Sequence, residues 1–166
     1  LLRFAAMGET YVQHVLEREN PRVALLNIGE EPTKGSELAQ ATYKLLEASP
    51  LNFIGNLEGN ALMRADADVV VCDGFVGNIV LKFVEGVIHY VSPLMGESGR
   101  SSGPGQAMAR RLDYAEYGGA PLLGVAGAVI IAHGGSSGKA IKNAVKVAAR
   151  FVRIDLDGMI VNRIRE

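Results

Sequence analysis

Arg22-Val-Ala-Leu-Leu-Asn-Ile28 runs into Gly29-Glu-Glu-Pro-Thr-Lys-Gly35 and then into Ser36-Glu-Leu-Ala-Gln-Ala-Thr-Tyr-Lys-Leu-Leu46. A short apolar run, a polar loop bounded by glycines and a helical segment, in that order, make the building unit of a parallel sheet with helical crossovers. Ser36 is the expected N-cap, and Leu38, Ala41, Leu45 and Leu46 are the expected apolar face of the helix. The unit recurs. A strand over Leu51–Ile54 leads into Gly55-Asn-Leu-Glu-Gly59, and one over Asp68–Cys72 leads into Asp73-Gly-Phe-Val-Gly-Asn78 and a helix through Leu81, Val84 and Ile88. A fourth strand, Ala128–Ala132, leads into His133-Gly-Gly-Ser-Ser-Gly-Lys139 and a helix to about Val152. Four repeats predict an α/β domain built on a mostly parallel sheet. Ahead of them Leu2, Ala5, Ala6, Val12, Val15 and Leu16 follow a helical period, and behind them Leu156, Met159, Ile160 and Ile164 are expected to pack an amphipathic tail back onto the body. Gly96–Gly105 reads as a flexible loop.

The 166 residues are 48% hydrophobic and 21% charged, enough apolar material for one core. Seventeen Lys and Arg against eighteen Asp and Glu leave a formal charge of -1, which excludes a global field for nucleic acid. One cysteine, Cys72, excludes an internal disulfide framework and fits a reducing cytoplasm. No uninterrupted apolar run approaches the roughly 18 residues that span a bilayer. The helical pattern is already under way at Leu1 with no initiator Met, so the chain reads as a piece of a longer protein.

In open α/β sheets ligands sit beyond the carboxyl ends of the strands, and Asn27, Glu30, Lys34, Asn56, Glu58, Asp73, Asn78 and His133 all follow strands. Glycines beside them let backbone N–H groups approach an anion at helix N-termini. Each loop taken singly is better explained by glycines that turn the chain and Asn or Asp that cap a helix; four together favour a phosphate-sized anion. His133-Gly-Gly-Ser-Ser-Gly-Lys139 is not a nucleoside triphosphate loop, because its glycines stand one residue too close and Ala140 replaces the Ser or Thr. Gly74 and Gly77 fall short of a dinucleotide fingerprint. Asp66, Asp68 and Asp73 are not expected to hold a metal, since Asp68 and Asp73 flank a strand at opposite ends. Cys72 ends an apolar strand with no neighbouring cation to activate it and reads as a small buried hydrophobe; His14 and His89 read as ordinary helical residues. Lys139, Lys142, Lys146, Arg150 and Arg153 recur at helical spacing, opposite Ile141, Val145, Ala148 and Val152. That stripe is either a solvated face or a dock for an acidic protein.

Five segments, taken in order and spacing, resemble the PlsX family of phosphate acyltransferases: Val23–Glu31 with Lys34-Gly35, Asn52–Gly59, Ala67–Asn78, Tyr117–Gly124, and His133-Gly134 with Lys139–Asn143. The chain is similar to the C-terminal half of that family's single domain. The resemblance implies a three-layer αβα sandwich similar to the isopropylmalate dehydrogenase and phosphotransacetylase folds, and a cytoplasmic homodimer with peripheral membrane contact. It also implies transfer of a fatty acyl group from acyl carrier protein to inorganic phosphate for phospholipid synthesis, with no cofactor and no metal. Lys34, Asn78 and His133 are the catalytic candidates it implies: Lys34 orients phosphate, Asn78 donates to the thioester oxygen and His133 assists proton transfer. Asn27, Gly29, Glu30, Gly35, Asn56, Glu58, Asp73, Gly74, Gly77, Gly134, Ser136 and Lys139 are the substrate-binding candidates. The family's longer amphipathic hairpin corresponds to Val87–Asp113, which is shorter and glycine-rich here. Two rivals stand beside this reading. A decarboxylating dehydrogenase on the same fold needs a nucleotide loop and acidic ligands that the sequence does not supply, and a non-catalytic module for carrier protein or phosphate-bearing ligands needs neither.

Overall fold

Of the four apolar runs, three become strands of one sheet in the computed structural model, which describes residues 1–64, 66–94 and 114–165. In chain order the elements are α1 (Leu2–His14), β1 (Val23–Asn27), α2 (Glu37–Glu47), β2 (Phe53–Glu58), a 3₁₀ turn (Gly59–Arg64), β3 (Val69–Val71) and α3 (Gly74–Leu94). After these come α4 (Tyr114–Tyr117), β4 (Ala120–Pro121), β5 (Ile130–Ile131), α5 (Gly138–Ile154) and α6 (Leu156–Arg165). The chain divides into two compact units, Leu1–Asp73 with Arg153–Glu166, and Gly74–Val152. The glycine-rich stretch Gly96–Gly105 and most of Val87–Asp113 lie outside the described residues.

The first unit is an α/β arrangement around a parallel sheet of order β2-β1-β3. Side chains alternate along β1. Val23 and Leu25 join Ala5 of α1, Leu46 of α2, Leu51 and Val71 in one cluster, while Ala24 meets Leu57 and Ala61 on the other face. Both faces are thus covered, as a parallel sheet requires, in keeping with the expected layered α/β sandwich. Burying Leu25 and Leu46 completely contributes about 1.5–3 kcal/mol each. Leu156 and Ile160 of α6 are buried as the tail's period predicts, and α6 packs on α1. There Arg163 holds Glu9 with two bonds, Nε to Oε2 at 2.8 Å and Nη2 to Oε1 at 2.9 Å.

Two expectations in this unit need correction. Ser36 caps α2, accepting from Ala39 N–H at 3.3 Å, but the face turned to the core is Ala39, Thr42, Tyr43 and Leu46, with Leu38 and Leu45 about half exposed. Tyr43 sets the rotation by meeting Phe53 edge-on, ring centroids 5.1 Å apart. The second strand does not stop at Ile54 but runs to Glu58, so Gly55, Asn56 and Glu58 are strand residues. Gly55 (φ +97°) forms a bulge rather than a turn: Val23 pairs with Phe53, yet Leu25 pairs with Asn56, one residue further than the register demands.

At the amino end of β3, Asp68 gathers Arg18 Nη1 at 3.1 Å, Arg22 Nε at 3.1 Å and the Arg22 backbone N–H at 2.9 Å. The Arg22 guanidinium and N–H, with Arg18 behind them, hold the Asp68 carboxyl below the usual carboxylate range. Asp73 stands past the other end of the same strand, as the spacing predicts.

The second unit departs further from expectation. The fourth run supplies only Ile130–Ile131, which pairs antiparallel with Ala120–Pro121 in a separate two-stranded sheet. Helix α3 begins at Gly74, so Gly74, Gly77 and Asn78 lie in its first turns and not in a loop. Its only Asp, Glu, Lys or Arg residues, Lys82 and Glu85, pair with each other at 2.8 Å. With only these two charged residues on a continuous helix, Gly74–Val91 is long and apolar enough to cross a membrane by length and composition alone, which the broken run in the sequence conceals. On α5 the buried line is Ala140, Ala144 and Phe151; Ile141, Val145 and Val152, which the sequence sets opposite the cations, are exposed. The Tyr117-Gly-Gly segment rests on α5 so closely that a Cβ on Gly118 (φ +83°) would stand 2.2 Å from the Ala144 nitrogen.

Candidate functional site

Because β1, β2 and β3 are parallel, their carboxyl ends share one edge of the sheet. Asn27 and Glu58, partners in register, end β1 and β2 there, and Cys72-Asp73 follow β3. Burial, with the charge of Asp73 added, pushes the Cys72 thiol up, so it stays protonated and is no nucleophile at neutral pH.

The loop between β1 and α2 is held by side-chain hydrogen bonds from both neighbouring strands. Asn27 Nδ2 donates to Lys34 O at 3.0 Å, while its Oδ1 accepts from Ile28 N–H at 2.8 Å. Asn56 reaches across from β2, Nδ2 donating to Glu31 O at 2.9 Å and more weakly to Glu30 O at 3.5 Å. Within the loop Lys34 N–H closes a turn on Glu31 O at 3.0 Å. Gly35 (φ +86°) leads the chain into α2, and a Cβ there would lie 2.2 Å from Asn27 Oδ1. Gly29 leaves room for the stem of Lys34, whose Cγ would be 2.9 Å from a Cβ at that position. Lys34 is exposed, and its ammonium pairs with no carboxylate among the described residues. Glu58 accepts from Asn60 Nδ2 at 3.2 Å. The first unit therefore brings Asn27, Gly29, Glu30, Lys34, Gly35 and Asn56 together in one loop and its supports, with Glu58 and Asp73 on the same edge.

The second unit carries the remaining candidates on two helix starts. Asn78 is the fifth residue of α3 and exposed, and its side chain makes no hydrogen bond among the described residues. Asp73 immediately precedes the helix in sequence, and Asn78 lies inside it. Before α5, His133 Nδ1 accepts from Gly135 N–H at 3.1 Å, and Ser136 N–H closes a turn on His133 O at 3.0 Å. With Nδ1 accepting, a neutral ring carries its proton on Nε2. Ser137, which the sequence reading passed over, caps α5 by accepting from Ala140 N–H at 3.3 Å. Ser136 Oγ is buried without a partner among the described residues. Lys139 is differently placed from Lys34, since its ammonium is bound to the Glu116 carboxylate, and Asn143 Nδ2 holds the Glu116 carbonyl at 3.1 Å. The Glu116 contact was invisible in the sequence, 23 residues away.

The family described as "Fatty acid synthesis protein" matches residues 1–159. Among similar proteins is a phosphate acyltransferase of Heliobacterium modesticaldum, 52% identical over 164 residues, which cover 92% of this chain and 49% of that protein. A phosphate acyltransferase of Dictyoglomus turgidum is 47% identical over 173 residues, 97% of this chain and 52% of its own length. One from Clostridium perfringens is 45% identical over 176 residues, 99% and 52% respectively. The chain spans about half the length of the relatives it matches.

Proposed function

Because the chain belongs to the fatty acid synthesis protein family, that of the PlsX phosphate acyltransferases, we propose that the complete polypeptide transfers a fatty acyl group from acyl carrier protein to inorganic phosphate. The observation that carries this reading is the loop beyond β1, where a lysine with no ion pair among the described residues stands on a braced backbone at the carboxyl edge of a parallel sheet. Such a lysine suits an oxyanion, as a point charge that offsets the repulsion of bringing phosphate to an acyl donor.

In the reaction a phosphate oxygen attacks the thioester carbonyl carbon, the carbonyl oxygen takes up negative charge, and the carbon–sulfur bond breaks to release thiolate. Lys34 orients the attacking phosphate. The Asn78 amide donates to the oxyanion, and His133 assists proton transfer. Acyl carrier protein docks on the cations of α5, of which Lys142 and Lys146 make no ion pair among the described residues. A homodimer, a cytoplasmic location and peripheral contact with the inner face of the membrane complete the proposal.

Formation of acyl phosphate from acyl-[acyl carrier protein] and phosphate by the complete protein tests it. Lys34→Ala should raise the phosphate KM. Asn78→Asp should fold normally, since the residue is not the cap, and lose about 100-fold to 1,000-fold in kcat, the usual effect of removing an oxyanion donor. Ordinary turnover by Asn78→Asp would take Asn78 out of the mechanism.

A further inference from the structure

Asn27 and Asn56 end or nearly end two adjacent strands, and the sequence marks both as substrate-binding candidates. Their carboxamides are already committed. Asn27 Nδ2 is used on Lys34 O and its Oδ1 on Ile28 N–H; Asn56 Nδ2 is used on Glu31 O, with Glu30 O at the limit of reach. The two grips fall on opposite ends of the turn that Lys34 N–H closes on Glu31 O. Between them they fix the backbone from Glu30 to Lys34, and with it the origin of the Lys34 side chain.

From this geometry we infer that Asn27 and Asn56 are positioning residues that act on phosphate through Lys34 and do not touch it themselves. The inference rests on the reading of Lys34 as the phosphate-orienting cation. Asn56 supplies a second, independent sign. Its Oδ1 is buried with no donor among the described residues, a costly arrangement for a carboxamide. Turning the amide over would set that oxygen against the Glu31 carbonyl, so the side chain keeps the orientation that serves the loop and leaves its acceptor unmet. An Asn selected to bind substrate has no reason to spend its donor on the main chain. Gly35 completes the brace, because any side chain at that position displaces Asn27 Oδ1.

The experiment is a double-mutant cycle in the complete enzyme, following acyl phosphate with inorganic phosphate and acyl-[acyl carrier protein] as the varied substrates. Asn56→Ala and Asn27→Asp, the latter keeping the acceptor for Ile28 N–H, should each raise the phosphate KM about fivefold, the worth of one hydrogen bond. The KM for acyl carrier protein and the kcat at saturating phosphate should move less than about twofold, a split that a general loss of fold does not produce. Added to Lys34→Ala, neither change should raise the phosphate KM further, since nothing remains to be positioned. Asn56→Asp should be worse than Asn56→Ala, because it removes the donor and charges a buried oxygen. Should Asn56→Ala fail to fold, Asn27→Asp carries the same cycle. Equal effects in the wild-type and Lys34→Ala backgrounds would overturn the inference by showing that the asparagines act independently of Lys34, and so would an unchanged phosphate KM in both variants beside a raised one in Lys34→Ala. If Lys34→Ala itself leaves the phosphate KM unaltered, it is the role of Lys34 that falls.

Discussion

Gly35→Ala is the substitution whose cost follows most directly from the coordinates. At φ +86° an alanine sits in the left-handed region, about 1–2 kcal/mol above its relaxed state. Its Cβ would also lie 2.2 Å from Asn27 Oδ1, 2.9 Å from Asn27 Cγ and 3.0 Å from Ala39 Cβ. Asn27 is hydrogen-bonded at both ends of its carboxamide and must leave, giving up its bonds to Lys34 O and Ile28 N–H at about 1 kcal/mol each. The sum is about 3–4 kcal/mol, a large share of the 5–15 kcal/mol typical of a folded protein. Urea unfolding of the complete protein measures it as a lower midpoint at constant slope. The phosphate KM should rise in parallel, because the loop that bears Lys34 loses one of its two grips. Gly59→Ala is the control, since a Cβ there meets nothing within 4 Å. A Gly35→Ala protein that loses less than about 1 kcal/mol and keeps its phosphate KM would refute both the clash and the brace.

Asp68→Asn should destabilise the protein at neutral pH and flatten its acid limb. The folded carboxyl is held below its unfolded value of about 4, so the contribution is complete above that pH and fades as pH falls through the lower folded value; a gap from wild type that stays constant between pH 7 and 3 would contradict this. Arg163→Ala leaves the Glu9 carboxylate without its two-bond partner and should cost about 1–3 kcal/mol, with faster amide exchange along α6 as the local signature; unchanged exchange there would make the pair ornamental. Charge reversal at Lys142 and Lys146 should weaken the binding of acyl carrier protein, and salt should shrink the difference because exposed charges are screened beyond about 10 Å at 0.1 M. An affinity indifferent to both changes would return the stripe to a solvated face.

The first strand–loop–helix unit was legible from residue types alone because everything that specifies it is local. An apolar run supplies β1, Gly35 supplies the turn and Ser36 supplies the cap, all within fifteen residues. What failed depended on distant partners. Leu38, Ala41 and Leu45 have the same helical spacing as Ala39, Thr42 and Leu46, and the first set is the more apolar; yet the second turns inward, where Tyr43 beside it meets Phe53, so that of the expected face only Leu46 is buried. Hydropathy counts the apolar faces of a helix without saying which one meets the sheet, and α5 repeats the lesson with Ala140, Ala144 and Phe151 buried while Ile141, Val145 and Val152 are not. Glycine is ambiguous in the same way. Gly55 reads as the end of a strand and proves to be a bulge within one, which moves Asn56 from a loop into β2 and gives it the reach to hold Glu31 O. That single displacement changes what the side chain can reach: an asparagine in a glycine loop looks like a ligand for an anion, whereas the same residue on the neighbouring strand spends its donor on the main chain of the loop that bears Lys34.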